Sequence, residues 1–150
     1  MFYHSGAYQQ AVESYAEIQK EMKGNARFML EHGHALHKLH KPEISNKVLK
    51  EALKVSGDPM ILNIIGKNEQ EMKHYDSAEY WFMRAVHRLP GRIYPYYLLA
   101  HLYAEPAFYQ CDKLEQMVQT VLEKEPKVQS TAIKQMRRKA RELLKKVPEN

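Results

Sequence analysis

Four histidines fall within nine residues of this 150-residue chain, and their spacing is the first feature that could support chemistry. They are His32, His34, His37 and His40. On a helix, His34 and His37 share a face, as do His37 and His40, and imidazole is a common metal ligand. A catalytic zinc site, however, needs three protein ligands held by further partners, and nothing like H-E-x-x-H occurs. We therefore predict solvated or packing histidines, with His32 partly buried and hydrogen-bonded, and no metal and no cofactor.

Other catalytic arrangements do not emerge from the sequence. Cys111 has no activating neighbour along the chain, and a single cysteine excludes a disulfide framework and a Cys-rich zinc site. The six glycines are scattered and form no phosphate-binding loop. Neither G-x-S-x-G nor a paired-carboxylate arrangement is visible. We predict that the chain is not an enzyme and has no catalytic residues.

The formal net charge of +5 is concentrated at the C-terminus. Residues 131–150 hold two acidic and seven basic side chains, and the preceding 130 residues are neutral. The basic ones are Lys134, Arg137, Arg138, Lys139, Arg141, Lys145 and Lys146. This segment could contact RNA or an anionic membrane, but it lacks interleaved aromatic residues. We expect a soluble capping helix and no nucleic-acid partner, with nucleic-acid binding as an alternative.

Hydropathy and the N-terminal sequence bear on membranes and export. No apolar stretch is long enough to span a bilayer, so we predict no transmembrane segment in this chain. The first six residues show no basic segment followed by an apolar run, so we predict no signal peptide.

The positions of small and aromatic residues repeat with a period near 34. Gly33, Gly66 and Ala100 are separated by 33 and 34 residues. A second series has intervals of 34, 33 and 36, and its last interval spans an inserted turn at 105–109. That series is Ala11, Ser45, Ala78 and Leu114. The clearest unit contains Leu62, Ile65, Gly66, Tyr75, Ala78, Phe82, Ala85 and Pro90. This spacing resembles the tetratricopeptide repeat (TPR), although Glu69 stands where an aromatic residue is usual.

The repeat predicts an all-α fold, a TPR-type right-handed superhelix of antiparallel helix hairpins closed by a capping helix. The small residues, such as Gly33, are expected where the two helices of a hairpin come closest. We predict a single domain over 1–150, with a partial repeat at 1–25, full repeats at 26–58, 59–91 and 92–127, and a cap at 130–147. The predicted helices are 7–23, 26–39, 43–55, 59–72, 75–88, 93–104, 111–124 and 130–146. Because the first hairpin is incomplete, we expect a segment of a longer protein.

The resemblance to TPR proteins implies a peptide-binding concave face lined by the first helix of each hairpin. The candidate binding residues are Arg27, Leu30, His34, His37, Asn63, Lys67, Gln70, Tyr94, Tyr97 and His101. The row His34, Lys67 and His101 could hold a carboxylate, a phosphate or a sugar hydroxyl. A solvated face with no defined ligand is the alternative.

Three stretches are similar to a narrower group of proteins. They are 57–68 (GDPMILNIIGKN), 89–103 (LPGRIYPYYLLAHLY) and 125–133 (EPKVQSTAI). Together they resemble the C-terminal TPR tail of O-antigen ligase/polymerase-like membrane proteins of Gram-negative bacteria. That resemblance transfers no catalytic residue to this chain.

What this resemblance implies is a non-catalytic scaffolding domain on the periplasmic side of the inner membrane, tethered to a membrane domain that assembles envelope polysaccharide. Its partner would be a protein or peptide. A glycan- or phosphate-binding surface, with cell-envelope glycan as the partner, is one alternative, and a cytoplasmic location is another.

Overall fold

The computed structural model describes residues 5–18, 24–126 and 128–145. Regular secondary structure in these ranges is entirely helical. The chain forms two compact units, the first ending at His74 and the second beginning at Tyr75. The predicted all-α, TPR-type helical-repeat fold is confirmed.

The helix bounds lie close to those predicted from the sequence. The first unit contains α1 (Ser5–Ile18), α2 (Ala26–Lys38), α3 (Pro42–Leu53) and α4 (Pro59–Glu71). The second contains α5 (Tyr75–Arg88), α6 (Tyr94–Tyr103), α7 (Cys111–Glu123) and α8 (Thr131–Leu143). Parts of the predicted first and last helices, at 19–23 and beyond 145, lie outside the described residues.

Local sequence signals determine where several helices begin. Asn25 Oδ1 accepts from the Phe28 amide at 3.0 Å, before α2. Asp58 Oδ1 accepts from the Met60 amide at 2.9 Å, and proline occupies the first position of α4. These bonds satisfy amides that have no partner inside the first turn of a helix. The cap at Asp58 and the proline at the first helical position therefore start α4 at residue 59, the predicted start of this helix.

Two helices of the first unit end in the same way, 33 residues apart. His40 and Lys73 both adopt a left-handed backbone, with φ of 59° and 64°. The amides of Lys41 and His74 then donate back to the carbonyl five residues earlier, at 3.0 and 2.8 Å. This is the Schellman arrangement of a helix C-terminus. The sequence period is thus repeated in the backbone of α2 and α4.

The inserted turn after α6 replaces that ending with a different one. A short 3₁₀ helix spans Pro106–Phe108, and the Gln110 amide donates to the Tyr103 carbonyl at 3.1 Å. The ring of Phe108 stacks on those of Tyr75 and Tyr103, with centroid distances of 5.7 and 6.3 Å. The insertion is therefore anchored within the second unit by aromatic packing.

The core of the first unit lies between α2, α3 and α4. Gly33 on α2 faces Leu49 on α3, and a Cβ added at Gly33 would collide with the Leu49 side chain. As predicted, a side chain larger than that of glycine does not fit at Gly33. The fully or nearly fully buried apolar residues here include Ala35, Leu36, Leu49, Ala52, Ile61, Leu62 and Ile65.

The core of the second unit is built around α6, which packs against α5, α7 and α8. Its buried apolar residues include Phe82, Ala85, Leu99, Ala100, Leu102, Leu114, Val118 and Val121. Helix α8 contributes the buried residues Ala140 and Leu143 and the partly buried Ile133 and Met136. Leu144, which the sequence places in the same apolar stripe, is the C-cap residue of α8 and is 40% exposed.

Candidate functional site

Seven of the ten predicted binding residues lie on α2 and α4, which pack against each other in the first unit. They are Arg27, Leu30, His34, His37, Asn63, Lys67 and Gln70. Arg27 is highly exposed and pairs with Glu31 at 3.4 Å within α2. Leu30, His34, His37, Lys67 and Gln70 are partly buried, and Asn63 is buried. The two helices thus bring a polar and cationic group of side chains together.

His37 is held in its neutral form by its surroundings. Burial lowers the pKa of His37 to about 4, and the positive charges of Lys67 and Lys38 act in the same direction. Its Nδ1 lies 2.7 Å from Asn68 Oδ1. Since an amide oxygen can only accept, Nδ1 carries the proton and Nε2 is left as an acceptor. His37 is therefore a neutral imidazole with a defined tautomer.

His34 lies in a similar electrostatic environment. Its pKa is lowered first by burial, then by the positive charges of Lys38 and Lys67. The ring of Tyr8 on α1 approaches it edge-on, at a centroid distance of 6.5 Å. Lys67 therefore supplies a positive charge beside two imidazoles that remain neutral at pH 7.

Behind this face lies a network of buried side-chain hydrogen bonds centred on Asn68. The Asn68 amide nitrogen donates to Ser45 Oγ at 2.9 Å and to Asn46 Oδ1 at 2.8 Å. Ser45 Oγ donates in turn to the Gly33 carbonyl at 2.6 Å. Together with the bond from His37, these contacts use both N–H donors and the oxygen of Asn68. We call His37, Ser45, Asn46, Asn68, Glu69 and His74 the Asn68 network.

Glu69 continues the network and explains its own departure from the repeat pattern. Its carboxylate accepts from Asn46 Nδ2 at 3.1 Å and from His74 Nδ1 at 2.8 Å. The residue is only 8% exposed, so these bonds offset the cost of burying a charge where an aromatic ring is usual.

The Asn68 network was not predicted from the sequence. Ser45 occupies the small-residue position that Ala11 and Ala78 fill in other repeats. Its hydroxyl, in place of a methyl group, indicates a buried hydrogen bond at this position. Asn68 and Glu69, adjacent polar residues in a buried stretch of α4, were the matching signal.

Two buried polar atoms have no hydrogen-bond partner within the part of the chain that the structure describes. They are Nδ1 of His32 and Oδ1 of Asn63. His32 is 4% exposed, its ring lies against Tyr15 and Phe28, and burial lowers its pKa. The predicted burial of His32 is confirmed, but the predicted hydrogen bond is not found at Nδ1, which has no partner among the described residues.

The other three predicted binding residues, Tyr94, Tyr97 and His101, lie on α6 in the second unit. The rings of Tyr97 and His101 meet edge-to-face at 4.6 Å, and those of Tyr94 and Tyr97 lie 6.4 Å apart. Burial raises the pKa of Tyr97. The predicted row of His34, Lys67 and His101 is divided between the units, with two members in the first and one in the second.

The basic helix α8 uses one of its arginines internally. Arg137 Nε donates to the Val121 carbonyl at 3.1 Å, and Nη2 donates to the Lys124 carbonyl at 2.7 Å. These carbonyls lie at the C-terminus of α7, where a cation also complements the helix dipole. Arg137 is therefore a structural cap for α7, while Arg138 and Arg141 are exposed.

Within the described ranges, the clustered histidines do not come together with other possible ligands in a metal-binding group. Among the described residues, the grouping with suitable ligand spacing is Cys111, Asp112 and Glu115, and all three are exposed. His37 and His40 instead bond to Asn68 and Glu71. No described helix has the length and apolar character needed to cross a membrane.

Comparison with known proteins finds similarity at the level of fold. No protein-family model matches the chain, and no curated protein matches it. Two crystal structures of MamA, a TPR-like helical-repeat protein, are similar to it. One has a TM-score of 0.71 and 19% identity, over 94% of this chain and 86% of the other. The second has a TM-score of 0.67 and 17% identity, over 94% and 81%. Neither comparison supports the resemblance to O-antigen ligase tails.

Proposed function

We propose that this chain is a non-catalytic TPR-type interaction domain that binds a segment of another protein on the face formed by α2 and α4. The proposal depends most on His37, which is held by Asn68 of the buried network and lies close enough to Lys67 for that positive charge to lower its pKa. A surface residue held in one tautomer by buried partners is preorganised, which reduces the entropy lost on binding.

The chemistry of this face favours an acidic segment. Lys67 offers a cation that can pair with a carboxylate, and its positive potential extends to both His34 and His37. Neutral His37 offers an acceptor at Nε2, which suits a backbone amide or a hydroxyl of the bound segment. We therefore expect a peptide with a carboxylate close to a hydrogen-bond donor.

Selection from a random peptide library displayed on phage tests this proposal. The wild-type chain should enrich peptides rich in Asp and Glu, and their affinity should fall about tenfold or more in Lys67→Glu. Lys139→Glu on α8 makes the same change in net charge on an exposed residue and should leave the affinity unchanged. If Lys67→Glu and Lys139→Glu enriched acidic peptides equally strongly, the proposal that the face formed by α2 and α4 binds them would be contradicted.

The cellular context that we propose rests on the sequence alone. The stretches 57–68, 89–103 and 125–133 support a role as the periplasmic tail of an O-antigen ligase-like membrane protein. The full reading frame tests it: we expect ten or more hydrophobic helices before this segment. A reading frame without them would leave the interaction domain in place and remove the ligase context.

A further inference from the structure

A second surface of the first unit has the features of a binding groove. It lies between α1 and α3, with α2 as its floor, and encloses about 990 Å³. The lining residues are Val12, Ala16, Met29, His32, Leu36, Lys41, Ile44, Lys47, Val48, Lys50, Glu51 and Lys54. We call this the α1/α3 groove.

The floor of the α1/α3 groove is apolar. Met29 and Leu36 of α2 and Val48 of α3 are buried beneath it. At its edge, Ile44 leaves 51% of its surface exposed to water. An apolar partner that covers Ile44 would remove this surface from water, which is favourable by about 25 cal/mol per Å².

His32 adds an unsatisfied polar atom to the same wall. Its Nδ1 is buried and lacks a hydrogen-bond partner among the described residues. A buried polar atom without a hydrogen-bond partner is energetically unfavourable. A partner that supplies a hydrogen bond there would relieve the cost, so the wall is not fully satisfied by the residues around it.

The charged residues of the groove indicate what kind of partner fits. They are four lysines and one glutamate, and Glu51 already pairs with Lys54 at 3.0 Å. Lys47, Lys50 and Lys54 follow one another at intervals of three and four, which places them in one stripe along α3. The stripe extends for about 10 Å, or two helical turns. Because the lysines outnumber the single glutamate, the groove keeps a net positive charge along this stripe even though Lys54 pairs with Glu51. Such an elongated positive surface matches a row of carboxylates better than the single head group of a small amphiphile.

We propose that the α1/α3 groove binds an acidic amphipathic helix of a partner protein. The apolar side of that helix lies over Met29, Leu36 and Val48, and its carboxylates pair with the lysine stripe. Helix-in-groove recognition uses this combination of an apolar stripe and flanking charges. The proposed interface is separate from the face formed by α2 and α4, so either can fail without the other.

A designed peptide tests the proposal directly. The probe is an 18-residue amidated helix with leucines along one side and glutamates along the other, labelled with fluorescein and titrated by fluorescence anisotropy. The wild-type chain should bind it. Lys47→Glu combined with Lys54→Glu should weaken binding about tenfold or more, because attraction becomes repulsion. Ile44→Ser, a change at a half-exposed site, should also weaken binding while leaving the fold intact.

The matched control is Lys134→Glu combined with Lys139→Glu. These exposed lysines of α8 change the net charge equally, and binding should change less than about twofold. Circular dichroism verifies that each variant is folded. Equal weakening by both pairs, or equal binding of a peptide with lysines in place of glutamates, would overturn the proposal. Competition with dodecanoate is a further test. The proposal would also be overturned if dodecanoate displaced the peptide from wild type and bound the Lys47→Glu, Lys54→Glu variant with unchanged affinity, because that result indicates a site for a small amphiphile.

Discussion

Asn68 holds the side chains of three other residues in place. It joins His37 of α2 to Ser45 and Asn46 of α3 through three short hydrogen bonds. Because Asn68 is fully buried, removing its amide would leave these groups without partners and without access to water. The order of His37 on the face of α2 and α4 therefore depends on the side-chain amide of Asn68.

Replacing Asn68 by alanine should destabilise the protein by about 3 kcal/mol, since more than one buried polar group loses its partner. The free energy of unfolding in urea measures this. Gln129→Ala, which removes an exposed amide, is the control and should change stability by less than about 0.5 kcal/mol. A loss of less than about 1 kcal/mol for Asn68→Ala would show that water or neighbouring groups replace the bonds.

Acidification should destabilise the protein through His37. Its folded pKa is about 4, below the ordinary value of 6.5, so the unfolded chain binds a proton more readily. Stability from this residue is present above about pH 6.5 and is lost as pH falls toward 4. At pH 5 the loss is about 2 kcal/mol relative to neutral pH. His32 and His34 act in the same direction because their pKa values are also lowered.

Urea unfolding at pH 7.5 and pH 5.0 tests this, with His37→Gln as the comparison. Glutamine can still donate to Asn68 Oδ1 but does not titrate, so its loss of stability between these pH values should be smaller than that of wild type. If the free energy of unfolding fell by the same amount between pH 7.5 and pH 5.0 in His37→Gln as in wild type, His37 would not be the group responsible.

At the scale of helices, the fold depends on close approach within hairpins and on satisfied helix ends. In the α2–α3 hairpin the side chain of Leu49 fills the space above Gly33. At the C-terminus of α7, the carbonyls of Val121 and Lys124 accept from Arg137 of α8. The contact between Gly33 and Leu49 allows α2 and α3 to pack closely, and the hydrogen bonds of Arg137 attach α8 to α7.

Gly33→Ala should destabilise the protein by roughly 1–3 kcal/mol, although alanine is the better helix former, because its Cβ would collide with Leu49. Thermal unfolding measures the change. Gly91→Ala is a suitable control, since a Cβ there meets nothing within 4 Å and should leave stability nearly unchanged. Combining Gly33→Ala with Leu49→Ala should relieve the collision, and a double variant that merely adds the two losses would argue against direct contact.

Arg137→Ala should loosen the junction between α7 and α8, because two carbonyls at the end of α7 lose a charged donor. We expect a loss of about 1–2 kcal/mol in unfolding free energy and faster hydrogen exchange in α8. Arg138→Ala removes the same charge from an exposed position and serves as the control. Equal exchange rates in the two variants would show that Arg137 is not a cap.

At the scale of the whole molecule, the sequence predicted the helices better than the site. Pro59 marks the start of a helix, and the 33-residue spacing of small residues marks positions where helices pack closely. Both are local signals, so these features of the fold could be predicted from the sequence. The Asn68 network depends on which buried positions of α2, α3 and α4 meet, and repeat spacing does not specify that for Ser45 and Asn68. The division of the chain into two units was likewise not predicted, and it assigns His101 to one unit and His34 and Lys67 to the other.

The face formed by α2 and α4 should contact another protein. Photo-crosslinking tests this contact most directly. In one variant p-benzoylphenylalanine replaces Gln70 on this face, and in the control it replaces the exposed Lys139 on α8. After irradiation in the native host, the adducts are identified by mass spectrometry. We predict a discrete protein adduct from position 70 that is absent from position 139 and disappears when Lys67→Glu is introduced. No adduct at position 70, or the same adducts from both positions, would contradict the claim.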